Sequence, residues 1–357
     1  MPVVVKPELV LPNPRVAIVM LSAIGDAVHV LPVVNALRRA APGMKLTWVI
    51  QPVPHRLVYN HAAVDEFIIF TRRRGLRGIG SFAGTRSELR RHRFDLVIDL
   101  QVYFKAGLLT GFARAPVKLG FDRRRARDFN WLFTTHRIPP HENQHVQDQY
   151  FEFLDTLGVA WDPPEWGIVI TDEEREEQRR FFEQIDKPVC AVVLGTSKPR
   201  KDWPPARYAR LLEAIEGDFG YQTVIIGGPS AGERATAAKV LGLTRAQPLN
   251  ELGDSVRRLA YLIDGSDLLV SPDTGPLHVS RALQTPVVGL YGYTNPKRTG
   301  PYRKYEDLIV DGYARYPGED YPVATEYRPD GMGRITVEMV RKKLELAASK
   351  YGKGSAS

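Results

Sequence analysis

Four short runs, apolar apart from Asp99 and the closing Ser271, constrain the fold of this chain most: Val16–Leu21, Leu96–Leu100, Val189–Leu194 and Leu268–Ser271. A strand with one wet face alternates apolar and polar residues, whereas a continuous run marks a strand buried on both faces, the usual state of a parallel sheet. Each run leads through a turn into a helical pattern. After the first, Ala27, Val30, Leu31, Val34 and Leu37 recur at helical spacing. Such βαβ series predict an α/β fold with doubly wound parallel sheets. The pattern breaks around Trp161–Trp166 and then restarts, and 357 residues are too many for one ordinary core. The expectation is two Rossmann-like domains facing a central cleft, one over residues 1–165 and one over 166–334. Residues 335–357 form a terminal helix and tail, the helix returning to the first domain.

Composition narrows the class. A hydrophobic content of 43% with 10% aromatics is globular. No apolar stretch reaches the roughly 18 residues of a membrane span, and Met1–Pro14 lacks the apolar core of a signal peptide. The single Cys190 lies inside an apolar strand and reads as packing. These features favour the cytoplasm. The formal charge of +8 is uneven, with clusters at Arg72–Arg74 through Arg93 and at Arg114 through Arg127. Clusters of this kind suit an anionic partner. A phosphorylated or otherwise anionic partner or an anionic membrane surface fits, the plain alternative being a solvated basic face, whereas no nucleic-acid-binding motif is present. Arg72, Arg73, Arg123 and Arg124 are the acceptor-side candidates.

The turns after the strands carry the chemistry. Asp26 sits just past the first strand at the start of a helix, where a negative charge is favoured. It is a candidate base for a hydroxyl, or a plain helix cap. The loop Gly195–Pro204 offers Thr196, Ser197 and Lys201 to a diphosphate, without a Walker pattern. Asp273-Thr274-Gly275 with His278 joins a strand end to a helix start, which suits a phosphate or only a cap. Gly228–Gly232 matches G-x-S-x-G, so Ser230 with His278 admits an α/β-hydrolase. The other reading is a glycine turn beside a nucleotide, with Glu233 reaching ribose hydroxyls. A non-catalytic nucleotide-sugar-binding protein would keep Lys201 and Asp273 without needing Asp26. No two Asp residues are spaced D-x-D, no His/Cys cluster has metal spacing, and His136, His141 and His145 read as surface or acceptor-site histidines.

Together these motifs resemble the heptosyltransferases of glycosyltransferase family nine, GT-B enzymes that build the lipopolysaccharide inner core. The resemblance covers about residues 15–300 and rests on Ser22–Ala27 with Leu31-Pro32, Phe94–Asp99, Lys201–Pro204, and Asp273–Gly275 with His278. It implies an inverting, metal-independent transfer of a heptose or similar sugar, with ADP-heptose as donor and no cofactor: the first domain would bind an anionic glycolipid or glycan acceptor at the inner-membrane surface, in peripheral contact with it, and the second the nucleotide sugar. Asp26 would be the base, and Thr196, Ser197, Lys201, Glu233, Asp273, Thr274, Gly275 and His278 would hold the donor. The stretch Tyr313–Gly333 matches no part of that pattern.

Overall fold

The computed structural model describes residues 13–73, 75–196 and 198–352, without the side chains of Leu76 and Arg77. The chain divides into two compact units. One comprises Met1–Glu142 and Val146–Val169, the other Asn143–His145 and Ile170–Ser357.

The first unit runs β1 (Arg15–Val19), α1 (Ile24–Ala40), β2 (Lys45–Ile50), α2 (Pro52–Val58), β3 (Glu66–Ile69), α3 (Leu76–Arg91), β4 (Leu96–Asp99), α4 (Phe104–Phe112), β5 (Val117–Gly120), β6 (His136–Arg137) and α5 (Val146–Leu157). A 3-10 turn at Asn130–Phe133 precedes β6. The six strands are parallel in the order β3-β2-β1-β4-β5-β6. Val16 to Val19 and Leu96 to Ile98 are wholly buried, as their unbroken apolar runs require. Val19, Val49, Ile68 and Val97 pack with Leu89 of α3 and Leu109 of α4 in one core cluster.

The second unit runs α6 (Asp172–Phe182), β7 (Val189–Val193), α7 (Pro205–Gly217), β8 (Gln222–Gly227), α8 (Ala231–Leu241), β9 (Leu249–Leu252), α9 (Val256–Gly265), β10 (Leu268–Pro272), α10 (Gly275–Leu283), β11 (Val287–Tyr291), α11 (Pro296–Thr299), β12 (Ile309–Asp311), α12 (Gly331–Arg334) and α13 (Val337–Tyr351). Its parallel order, β12-β11-β10-β7-β8-β9, repeats that of the first sheet. Each unit is therefore a doubly wound Rossmann-like domain whose strand order reverses direction once, at β1/β4 and at β7/β10. Loops leaving the carboxyl ends there are where such sheets bind ligands.

Within the second unit, α13 packs on α7, β11 and β12. Val340, Leu344 and Ala347 supply its buried face.

Candidate active site

At the switch point of the first domain, helix α1 begins earlier than the turn reading implies. It starts at Ile24, so Asp26 occupies the third helical position and is half-buried. Its Oδ2 accepts from the Ala23 N–H at 2.7 Å, closing the turn on itself. The cap alternative is thus part of the geometry. The neighbouring strand holds the same turn from outside. Gln101, just past β4, accepts from the Leu21 N–H through Oε1 at 3.0 Å and donates through Nε2 to the Ser22 carbonyl at 2.7 Å. Asp99, wholly buried at the end of β4, accepts from Gln101 N at 3.1 Å, Thr110 Oγ1 at 3.0 Å and Asn130 Nδ2 at 3.0 Å. Burial raises its pKa to about 7 against the lowering effect of those three hydrogen bonds. Neither Gln101 nor Asn130 had a sequence signal of its own.

The arginine candidates lie on the same sheet edge. Arg72 and Arg73 follow β3 and are exposed. Arg123 and Arg124 follow β5; both are exposed, and the Arg123 guanidinium lies 4.2 Å from the Trp131 ring centroid. The third arginine of that run has a different task. Arg125 is half-buried, pairs with Asp122, and forks onto Glu152 at 2.8 and 2.6 Å. The basic cluster therefore divides into one structural residue and two that face solvent.

At the switch point of the second domain, Lys201 and Asp273 meet from loops 72 residues apart. Lys201 Nζ donates to Asp273 Oδ2 at 2.7 Å and to the Asp273 carbonyl at 2.9 Å. Thr294 Oγ1 donates to the same Oδ2 at 2.6 Å, Thr299 Oγ1 lies at 3.4 Å, and His278 Nε2 is 3.5 Å from Oδ1. Burial alone would raise this carboxyl. The His278 contact and the Lys201 ammonium overcome it and hold the group well below the usual carboxylate range. Asp273 is thus a buried anchor for the Lys201 ammonium and not a helix cap. Thr274 occupies the N-cap of α10 without a side-chain capping bond, and its hydroxyl meets Ser271 Oγ at 3.3 Å. Gly275 opens that helix, and Pro276 removes one of its first N–H donors. Thr294 and Thr299 were missed, although their loop also leaves a strand at this carboxyl edge.

Thr196 closes a local turn, donating to the Lys198 carbonyl at 2.6 Å and accepting from Lys198 N at 3.1 Å. Ser197 lies outside the described residues. Glu233 lies over the same loop: a Cβ at Gly195 would be 2.8 Å from its Cγ, so a side chain there would displace Glu233. The Glu233 carboxylate accepts from Gly228 N at 2.8 Å and from Ser230 Oγ at 2.6 Å. Ser230 in turn accepts from Glu233 N at 3.1 Å, a reciprocal cap of α8. This corrects the hydrolase alternative, because Ser230 faces a carboxylate while His278 pairs with Asp273. His145 is not a surface histidine: its Nε2 meets the Gly300 carbonyl at 3.0 Å, and burial pushes its pKa down to about 4.

The stretch Tyr313–Gly333 is a strap on the carboxyl edge of this sheet. Arg328 pins it, forking onto Glu319 at 2.8 and 3.0 Å and donating to the Tyr313 carbonyl at 2.6 Å. Tyr327 stacks on Tyr293 at 4.7 Å, and Lys198 Nζ lies 5.4 Å from the Tyr327 ring centroid. A cavity of about 460 Å³ in this domain is lined by His145, Lys297, Gly300 and Tyr321, among others, and by none of the expected donor residues. Among the described residues, no three His, Cys, Asp or Glu side chains gather as a metal ion would need.

Comparison with known proteins agrees with this arrangement. The model of glycosyltransferase family 9 (heptosyltransferase) matches residues 83–321. The lipopolysaccharide core heptosyltransferase OpsX of Haemophilus influenzae is 30% identical over 341 residues, covering 92% of this chain and 96% of that protein. Lipopolysaccharide heptosyltransferase 1 of Pseudomonas aeruginosa is 28% identical, covering 87% and 85%. Among solved structures, a family 9 glycosyltransferase from Veillonella parvula superposes with a TM-score of 0.79 at 25% identity, over 93% of this chain and 96% of that one. The E. coli heptosyltransferase WaaC with ADP gives 0.70 at 25% identity, over 95% and 99%. The chain belongs to glycosyltransferase family 9 and is a glycosyltransferase of the GT-B class.

Proposed function

We propose that this enzyme transfers a heptose from ADP-heptose to the lipopolysaccharide inner core, with inversion at the anomeric carbon and without a metal ion. The observation that carries the reading is the buried Lys201–Asp273 pair beside the Thr196 loop and Glu233. It presents a fixed cation where a diphosphate would lie, at a strand end suited to nucleotides. The lipopolysaccharide heptosyltransferase names of the relatives supply the sugar and acceptor, and the ADP of the E. coli structure supplies the nucleotide.

The residues divide the work. Asp26 removes the proton of the acceptor hydroxyl. That oxygen attacks the anomeric carbon from the face opposite the diphosphate, and the bond from that carbon to the diphosphate oxygen breaks. The departing ADP takes the electron pair, and the proton stays on Asp26. Lys201, Thr196, Ser197 and the Gly275 end of α10 stabilise the charge growing on the diphosphate. Thr274 and His278 line this donor side, and Glu233 meets the ribose hydroxyls. Arg72, Arg73, Arg123 and Arg124 meet the anionic acceptor. The enzyme works in the cytoplasm and takes no cofactor.

The test is transfer from ADP-heptose to a heptose-free core acceptor in excess EDTA, with product anomeric configuration read by NMR. Inverted product formed in EDTA is expected. Retained configuration, tighter binding of UDP or GDP than of ADP, or activity restored only by Mg²⁺ would overturn the corresponding part of the reading.

A further inference from the structure

The segment after β5 contains two consecutive non-glycine residues in the left-handed region, Asp128 at φ 50° and Phe129 at φ 60°. A bulky side chain there is a genuine outlier, and strain of this kind collects where function requires it. The surroundings hold it firmly. Asn130 is fully buried and donates through Nδ2 to Asp99 at 3.0 Å and to the Tyr103 carbonyl at 3.1 Å. Arg127 N donates to the Val102 carbonyl at 2.7 Å. The Phe133 ring lies where a Cβ at Gly107 or Gly111 would come within 2.8 Å, and it meets Phe104 edge-on at 5.5 Å. Residues 102–104 and 127–133 therefore form one rigid knob.

That knob shows apolar groups to water. Phe129 is 66% exposed, Leu132 60%, Tyr103 49% and Phe104 44%. Exposed Lys105 and Arg127 flank them, next to the acceptor-side Arg123 and Arg124, with Asp128 as the neighbouring acid. The knob follows β4 and β5, on the sheet edge that also carries the Asp26 turn.

We propose that the knob is a docking surface for an anionic bilayer: Phe129 and Leu132 enter the interfacial layer, Tyr103 and Phe104 follow, and the flanking cations meet lipid phosphates. Apolar groups that protrude with cations around them match a headgroup–acyl boundary. Leu132 and Phe129 offer no polar atom with which to read a nucleic acid. The inference rests on the proposed glycolipid acceptor for its purpose, since docking would bring the membrane to the edge holding the base.

Cosedimentation with vesicles tests it, comparing phosphatidylcholine alone with phosphatidylcholine containing roughly one-third phosphatidylglycerol. The wild type binds the anionic vesicles preferentially, and Phe129→Gly with Leu132→Ser lowers that binding by about tenfold or more. Phe129→Gly alone keeps or raises the melting temperature, because glycine accepts the left-handed backbone. The double variant keeps wild-type transfer to a water-soluble, delipidated acceptor and loses transfer to one embedded in vesicles. Undiminished vesicle binding by the double variant, or none by the wild type, overturns the proposal. So does a dimer that the double variant abolishes without any vesicle binding, which assigns the knob to a second copy of the chain. Vesicle binding without sugar transfer defeats the proposed function and leaves docking standing; transfer from soluble acceptor without vesicle binding does the reverse.

Discussion

Gln101 clamps the chain at Ser22: its Nε2 donates to the Ser22 carbonyl at 2.7 Å while its Oε1 accepts from Leu21 N at 3.0 Å. The residue belongs to the loop after β4, and the clamped segment leads into the turn carrying Asp26. A single amide side chain thus ties the proposed base to the neighbouring strand.

Gln101→Leu should leave ADP affinity and melting temperature near wild type while lowering kcat about ten- to a hundredfold, as a misplaced catalytic group does. Asp26→Asn should lose more, about 10²–10⁴-fold, also with donor binding kept. Calorimetry and steady-state kinetics on both variants check this. A Gln101→Leu enzyme with unchanged kcat would free the turn from the clamp.

Lys201→Ala removes the proposed diphosphate cation and leaves Asp273 buried among its remaining partners. Nucleotide binding should weaken by about 1.5–3 kcal/mol, the scale of a charged hydrogen bond. Stability should fall by about 3–5 kcal/mol, as when one member of a buried pair is deleted. Denaturant melts separate the two effects. Asp273→Asn with Lys201→Met should recover stability without recovering binding.

Asp99 carries a pH signature. Its folded pKa is raised from 3.8 to about 7, so the folded protein holds this proton more tightly than the unfolded chain. The stability it contributes is full below about pH 4, is lost as pH rises to about 7, and is flat above that. The total is on the order of a few kcal/mol. Asp99→Asn should remove this component, so the difference between wild-type and variant stability should change across that window and not above it. A difference constant from pH 4 to 8 would contradict a protonated Asp99.

Ser230→Ala should lose one helix cap, about 1 kcal/mol of stability. Its transfer rate should stay within about tenfold of wild type, because Ser230 serves Glu233 and not a histidine. Stoichiometric labelling of Ser230 by a serine-directed phosphonate would reverse that assignment.

The sequence was most legible where burial is uniform. The runs at Val16–Leu21, Leu96–Leu100, Val189–Leu194 and Leu268–Ser271 became β1, β4, β7 and β10, the central strands of the two sheets. A strand covered on both faces writes itself as a nearly unbroken apolar stretch, with the buried Asp99 of β4 as the exception. The edge strands β6, β9 and β12 left no such mark: they are two to four residues long and only partly covered. The turns bearing Asp26, Thr196 and Asp273 were legible as well, because each directly follows a readable strand. What those side chains do there was not. Asp273 reads locally as a cap, and only the pairing of β10 with β7 sets it against Lys201. Gln101 reads as an ordinary loop residue until β4 lies beside β1. Likewise, the strained Phe129 is held by Asn130 reaching Asp99, 31 residues away. Local periodicity encodes which face of an element is buried. Hydrogen bonds between distant loops depend on strand order and register, and these exist only once the sheets have formed.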